Sequence, residues 1–467
     1  MVPAFPGAEG GGATATGGRG GRIIVVTNTD ATGQGSLYAA LKETGTRTIV
    51  FQTSGIIDWS SITDNGEGVA NVAVDSGDLT VAGQTAPGYG ITIKGGRMSL
   101  KANNIIIRYI TMRGGVGVFG DIISLKGSRH IIDHVTFNWA DDDLWGIWNY
   151  GGGTSLNSGD TTLQWSILSE GFLDISNPWA YKAHPINVGA GGYSTATTPY
   201  FYNVSIHHNF MSQTNERMPQ VKNADASIVN NILYNSVSAM SQFRGAGTFD
   251  FIGNLYKNNI LDTSQREIGG RDKDGVNDMG IAGTPSIYVY GNKNMAGNIP
   301  ATQWSMVSGH DYYYTAPPSN WQRFTPNTPD THPITVNSVN DLDTLILPTV
   351  GNSRYINSTG AWVNRIDVAR SRQIQDYISS IGTPKTSLSQ YCTTGCTNGY
   401  PTYYKVNPYT DSDNDGISDV WAAANGINAD NPANKITANG YSNLENFING
   451  EHNLTCPLSE CNITITQ

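Results

Sequence analysis

Ile206-His207-His208-Asn209-Phe210, Val229-Asn230-Asn231-Ile232-Leu233 and Ile252-Gly253-Asn254-Leu255-Tyr256 are three versions of one phrase. Their asparagines, at 209, 231 and 254, recur at a near-constant interval. Upstream, Ile107-Arg108-Tyr109-Ile110 and Ile132-Asp133-His134-Val135 carry the same shape at a similar interval. A period of roughly 20–50 residues marks a solenoid or array. Runs such as Asn104-Ile105-Ile106-Ile107 and Ala226-Ser227-Ile228-Val229 are β-branched and too short for helices. Stacked in register they would build parallel sheets, about 4.8 Å per coil, around an apolar cylinder. Asn at the corner tolerates the left-handed conformation and can hydrogen-bond along the stack. An antiparallel sandwich with ordinary turns is the alternative, and the near-constant Asn spacing favours the solenoid.

A solenoid needs capped ends. Ser36-Leu37-Tyr38-Ala39-Ala40-Leu41-Lys42-Glu43 reads as a short capping helix with Ser36 as N-cap. From about Pro317 the repeat fades, and the segment Thr359 to Ile381 is expected to be a C-terminal helix. We therefore expect a solenoid unit over 1–395 and a small Asp-rich, cysteine-containing tail over 396–467. In the tail, Asp411, Asp413, Asp415 and Asp419 occupy positions 1, 3, 5 and 9 of a calcium loop with Gly416 at position 6. Ala422 stands at position 12, where a complete EF-hand has Glu; Glu445 is a candidate to replace it, and a solvated acidic turn is the plainer reading. Cys392, Cys396, Cys456 and Cys461 all fall at this end, as two local disulfides or, less simply, a zinc site near His452.

The 467 residues carry 28 Lys and Arg against 38 Asp and Glu, a net charge of −10. That balance argues against nucleic acid as a partner. No apolar run is long enough to span a membrane as a helix. The opening Met1-Val2-Pro3-Ala4-Phe5-Pro6-Gly7 has the look of a mature N-terminus after a supplied Met, so a secreted monomer is expected.

Further motifs point to a family. They are Ala4-Phe5-Pro6-Gly7-Ala8-Glu9-Gly10, Gly17-Gly18-Arg19-Gly20-Gly21, Val26-Thr27-Asn28, Gly35-Ser36-Leu37 and Ala82-Gly83-Gln84-Thr85-Ala86-Pro87-Gly88. Gly120-Asp121-Ile122-Ile123-Ser124, Ile131-Ile132-Asp133-His134 and Arg217-Met218-Pro219 follow in order. Over about residues 3 to 300 the chain resembles the pectate lyase superfamily, most closely its bacterial polysaccharide lyase family 1 members. The resemblance implies a right-handed parallel β-helix and calcium-assisted β-elimination on an acidic polysaccharide such as polygalacturonate or pectin. In that chemistry a cation neutralises a uronate carboxylate and a base removes the C5 proton.

By that resemblance Asp121 is a calcium ligand, with Asp142 and Asp143 of the run Asp141-Asp142-Asp143 as partners. The spacing of Asp121 and Asp143 is close to one coil. Ile147 stands where the family commonly has a further acid. Arg217 takes the place of the base, although arginine is ordinarily always protonated; dense positive charge from calcium is expected to lower its pKa. A plain salt bridge to Glu216 is the competing role for it. Lys222 replaces a second family Arg, and Lys182 aligns with a lysine that contacts substrate. His184 is a candidate helper in substrate binding. Trp145 and Trp148, with Trp139 and Trp179 nearby, are candidates for a sugar-stacking platform or for core packing. Asp133-His134 reads as a buried structural corner. Two other readings stay open: a β-helical glycoside hydrolase using the Asp cluster, and a non-catalytic carbohydrate-binding solenoid.

Overall fold

The computed structural model describes residues 2–62, 70–115, 120–140, 142–148, 158–171, 184–190, 201–237, 239–258, 267–270, 284–309, 316–327, 332–365, 367–382, 388–391, 396–397, 400–403 and 406–450. Each coil lays one short strand in each of three parallel sheets, which among the described residues hold ten, nine and eight strands. The result is the parallel solenoid expected from the repeat, and the right-handed β-helix that the family resemblance implies.

One row of the ten-stranded sheet explains the stacking. Ile107, Ile132, Leu163, Ile206, Ile228 and Phe251 are register partners on successive coils, and all are completely buried. Burying each such side chain contributes about 1.5–3 kcal/mol. The chain then turns sharply: Tyr109, His134, Trp165, His208, Asn230 and Gly253 all have positive φ at equivalent corners. Beside these corners runs the asparagine ladder. The amides of Asn209, Asn231 and Asn254 each donate to the side-chain oxygen of the next asparagine, ending on Asn292, at 2.8–3.0 Å. Asn292 lies 38 residues beyond Asn254, so the ladder continues past a longer coil.

Asp133 is buried at its corner, accepting from Arg108 Nε at 2.7 Å and Gln164 Nε2 at 2.8 Å, with His134 Nδ1 2.9 Å away. Burial alone would raise its pKa; His134 and Arg108 reverse that and hold it ionised. This is the structural corner expected from the sequence.

The short helix Leu37–Lys42 is capped by Ser36, whose hydroxyl accepts from Ala39 N. Thr359 to Ile381 is not one helix. Arg354–Ile356 and Trp362–Asn364 form an antiparallel hairpin, and the helix is Val368–Ile378, started by the Asp367 carboxylate accepting from Ala369 N and Arg370 N. Ile374 and Tyr377 of that helix pack with Leu342 and Ile346 against Phe210 and Ile232 of the eight-stranded sheet. The N-terminal segment covers the ten-stranded sheet, with Ala4, Phe5, Ala8 and Ala13 on Ile106 and Ile131. The 406–450 segment also docks on that sheet: Tyr409, Ile417, Leu444, Phe447 and Ile448 pack on Val50 and Ala82. Arg19 Nε meets Glu445 Oε1 at 2.8 Å, and Arg108 donates to Asn449 Oδ1 at 2.8 Å. No helix among the described residues is long and apolar enough to cross a membrane.

Candidate functional site

At the corner where the chain enters the nine-stranded sheet, Asp142 and Asp143 come together with His184, and Asp121 stands on the neighbouring coil. Strand Ile123–Leu125 pairs with Asp143–Trp148 so that Ile123 faces Trp145, which brings Asp121 beside Asp143 on the next coil. Asp143 pairs directly with His184 of the strand His184–Ala190. One coil further, Ile186 N donates to the carbonyl of Arg217 at 3.3 Å. Successive coils thus present Asp121, then Asp142 and Asp143, then His184, then Glu216 and Arg217.

Asp143 is the hub. Its carboxylate lies 3.2 Å from Arg217 Nη1 and 3.2 Å from His184 Nδ1, and accepts from Asn187 Nδ2 at 2.9 Å. Asp142 Oδ1 is 3.8 Å from the same imidazole nitrogen. Glu216 approaches from the far side, 3.7 Å from His184 Nε2 and 3.6 Å from Arg217 Nε. Gln242 Nε2 holds Glu216 Oε2 at 3.0 Å. The single salt bridge to Glu216 is therefore only half of what grips Arg217. The Arg217 backbone has φ +67°, a conformation disfavoured for a long side chain and often found where function fixes one.

Electrostatics follow from burial. Asp121, 5% exposed, has its pKa pushed well above the carboxylate range, by burial first and by Asp143 and Asp142 next. Burial would also raise Asp143, but Arg217 and His184 outweigh it and keep Asp143 ionised. Burial works against the charge on Arg217, yet Asp143 and Glu216 prevail and raise its pKa. For the protein by itself, its acids hold the guanidinium as a cation, opposite in direction to the effect expected of bound calcium. An added cation that takes up the charge of Asp143 would weaken that hold.

Several sequence expectations change here. Trp145 is completely buried in the core, pairing between Ile123 and Ile186, and therefore leaves the sugar-stacking set. Trp139 is likewise buried, its Nε1 donating to Glu170 Oε2 at 2.9 Å. Ile147 points into the core, so no acid could stand at that position without entering it. His184 is 2% exposed and lies among carboxylates. Lys222 is buried beside its register partner Arg244, a residue the sequence reading missed although one coil period added to 222 lands on it. Asn187, Gln220 and Gln242 were missed as well; only strand register reveals them. Asp141, Lys182, Trp179 and the Trp148 side chain lie outside the described residues.

A cation fits this corner in one respect and strains it in another. Asp121, Asp142 and Asp143 offer hard oxygen atoms, as calcium requires. The imidazole of His184, sharing a 4.8 Å cluster with Asp142 and Asp143, is not a calcium donor. In the tail, Asp411, Asp413 and Asp419 form a second such cluster. Asp415 instead caps Ile417 N at 2.9 Å. Glu445 is taken up by Ser442 in a capping box and by Arg19, so it does not complete that loop. Of the cysteines, only Cys396 lies within the described residues.

No protein-family profile matches the chain. Sequence comparison finds proteins named probable pectate lyase C: one from Emericella nidulans, 35% identical over 259 residues, covering 54% of this chain and 52% of that protein, and one from Aspergillus terreus, 35% identical over 262 residues, covering 55% and 54%. The chain spans about half the length of these curated relatives. They are fungal, which departs from the bacterial likeness read from the motifs. Among solved structures, the cedar pollen allergen jun a 1 superposes with TM-score 0.52 at 15% identity, covering 74% of this chain and 92% of that one. The thermostable pectate lyase PL 47 gives 0.51 at 15%, covering 74% and 97%. The chain is thus similar in sequence, over half its length, to fungal proteins named as pectate lyases, and it shares the parallel β-helix of the allergen and of a pectate lyase.

Proposed function

We propose that the protein is a polysaccharide lyase that cleaves 4-linked galacturonan by β-elimination, with Arg217 as the base. The observation that carries this reading is the contact of Arg217 with Asp143 at a corner where Asp121, Asp142 and Asp143 stand on successive coils. The similarity to proteins named pectate lyase over about half of each chain supports it.

A bound divalent cation, calcium by the sequence resemblance, would be held by Asp121, Asp142 and Asp143 and would neutralise the uronate carboxylate, acidifying the C5 proton. The protein's own groups do the rest. Asp143 and Glu216 aim the guanidinium of Arg217. If the charge of Asp143 is taken up elsewhere, Arg217 loses its main stabilising partner and its pKa falls, so that it can release its proton to solvent and, once neutral, accept the one from C5. Lys222, with Arg244 stacked on it, adds positive charge for a substrate carboxylate, and Lys182 is assigned the same work. We assign the tail cluster a structural calcium, and the cysteines a disulfide role in an exported, monomeric protein.

The test is ultraviolet detection of unsaturated uronide on polygalacturonate, with added divalent metal and then with chelator. Metal-dependent absorbance that Arg217→Ala abolishes is the expected result. New reducing ends without absorbance would mean a hydrolase, and binding without either signal would mean a carbohydrate-binding solenoid.

A further inference from the structure

We infer that His184 is itself a metal ligand, so that the catalytic corner is a mixed nitrogen–oxygen site selecting a first-row transition divalent ion over calcium. The inference rests on the lyase reading for the place of the ion, and on its own geometry for the ion's identity.

Ligand atoms of a six- or four-coordinate ion at about 2.1 Å stand roughly 3.0–3.5 Å apart. His184 Nδ1 lies 3.2 Å from Asp143 Oδ1 and 3.8 Å from Asp142 Oδ1. The ring is nearly fully buried, and Nδ1, though near the Asp143 oxygen, is not aligned for a hydrogen bond with it. The surroundings have the form of a ligand's support. A metal-bound histidine usually turns its other ring nitrogen to a carboxylate, and ligating carboxylates are themselves hydrogen-bonded. Here Nε2 faces Glu216 Oε1 at 3.7 Å, Glu216 is held by Gln242, and the second oxygen of Asp143 is held by Asn187. Strand register fixes the arrangement, because Asp143 and His184 are direct partners on adjacent coils.

Imidazole nitrogen suits iron, nickel, copper and zinc, whereas calcium takes oxygen and manganese accepts oxygen more readily than they do. Ile147 faces the core and offers no oxygen donor at that position, and the nitrogen of His184 takes its part. The ion would share Asp143 Oδ1 with Arg217, which the guanidinium now approaches at 3.2 Å. Loading the site and releasing Arg217 are therefore one event.

The experiment loads the intact protein with Mn2+ and records electron spin-echo modulation. Equilibrium dialysis then measures Ca2+, Mn2+, Co2+ and Ni2+ for the wild type and for His184→Gln. We expect nitrogen modulation in the wild type, absent from His184→Gln, and affinity rising from Mn2+ to Ni2+ by at least tenfold. In the variant that rise flattens, while Ca2+ affinity stays or improves. The all-oxygen tail cluster contributes no nitrogen signal. Wild-type Mn2+ with no nitrogen coupling, or Ca2+ bound more tightly than Ni2+ at this corner, overturns the inference and leaves the lyase reading standing. Nitrogen-coupled metal with no unsaturated product from any metal form would sink the lyase reading and leave the metal site.

Discussion

Replacing Asn231 by Ala tests what holds the coils in register. The side chain sits completely buried in the ladder. Its Oδ1 accepts from the amide of Asn209 and from Asn209 Nδ2, each at 3.0 Å. Its Nδ2 donates to the Ile206 carbonyl at 2.9 Å and to Asn254 Oδ1 at 3.0 Å. Four hydrogen bonds at about 1 kcal/mol net each vanish, and a buried backbone N–H and carbonyl lose partners worth about 1–3 kcal/mol apiece. The effects overlap, so we expect a loss of roughly 3–5 kcal/mol, placing it among the severe single substitutions. Urea unfolding followed by circular dichroism reads this as a lower midpoint. Asn425→Ala, at an exposed helix end, serves as control and should shift stability by no more than about 0.5 kcal/mol. A loss below about 1 kcal/mol for Asn231→Ala would refute the argument and leave apolar stacking as the sole source of register.

Arg217→Lys keeps the charge but not the fork, so it should fold normally and lose most product formation, read by ultraviolet absorbance at fixed metal. Trp145→Ala should destabilise by about 3–5 kcal/mol, because a completely buried ring leaves a cavity; a stable variant with weakened substrate binding would return Trp145 to the sugar platform. Asp250, buried beside Arg323, has its pKa raised to about 6, chiefly by burial. Because the folded pKa exceeds the unfolded one, the native state holds the extra proton. Stability from this group is therefore full below about pH 4 and falls as pH rises to about 6. Asp250→Asn should flatten that part of the stability–pH curve.

The solenoid was legible because its rule is local: an asparagine every coil, with apolar β-branched residues before it. The ladder's last member, Asn292, escaped notice because its coil is longer. The hairpin before Val368–Ile378 was missed because its two strands are too short for a period to show. At the site, Asp121 and Asp143 were legible as partners because their spacing is close to one coil. His184 follows Asp143 at a much wider interval, on a coil whose length hides the pairing. The facing of Trp145 depends on where its strand turns the corner, which composition does not record.

The docking of residues 406–450 changes what kind of object the solenoid is. A plain stack of coils resembles a zipper, able to fray independently from either end, since each coil contacts only its neighbours. Here the late segment lies on Ile23, Val25 and Val50, the earliest strands, and Glu445 locks to Arg19. Peeling the first coil therefore requires releasing a segment that stands at the far end of the sequence. The zipper has its slider fastened back over its own starting tooth, so melting should begin with the clasp and not with the cloth.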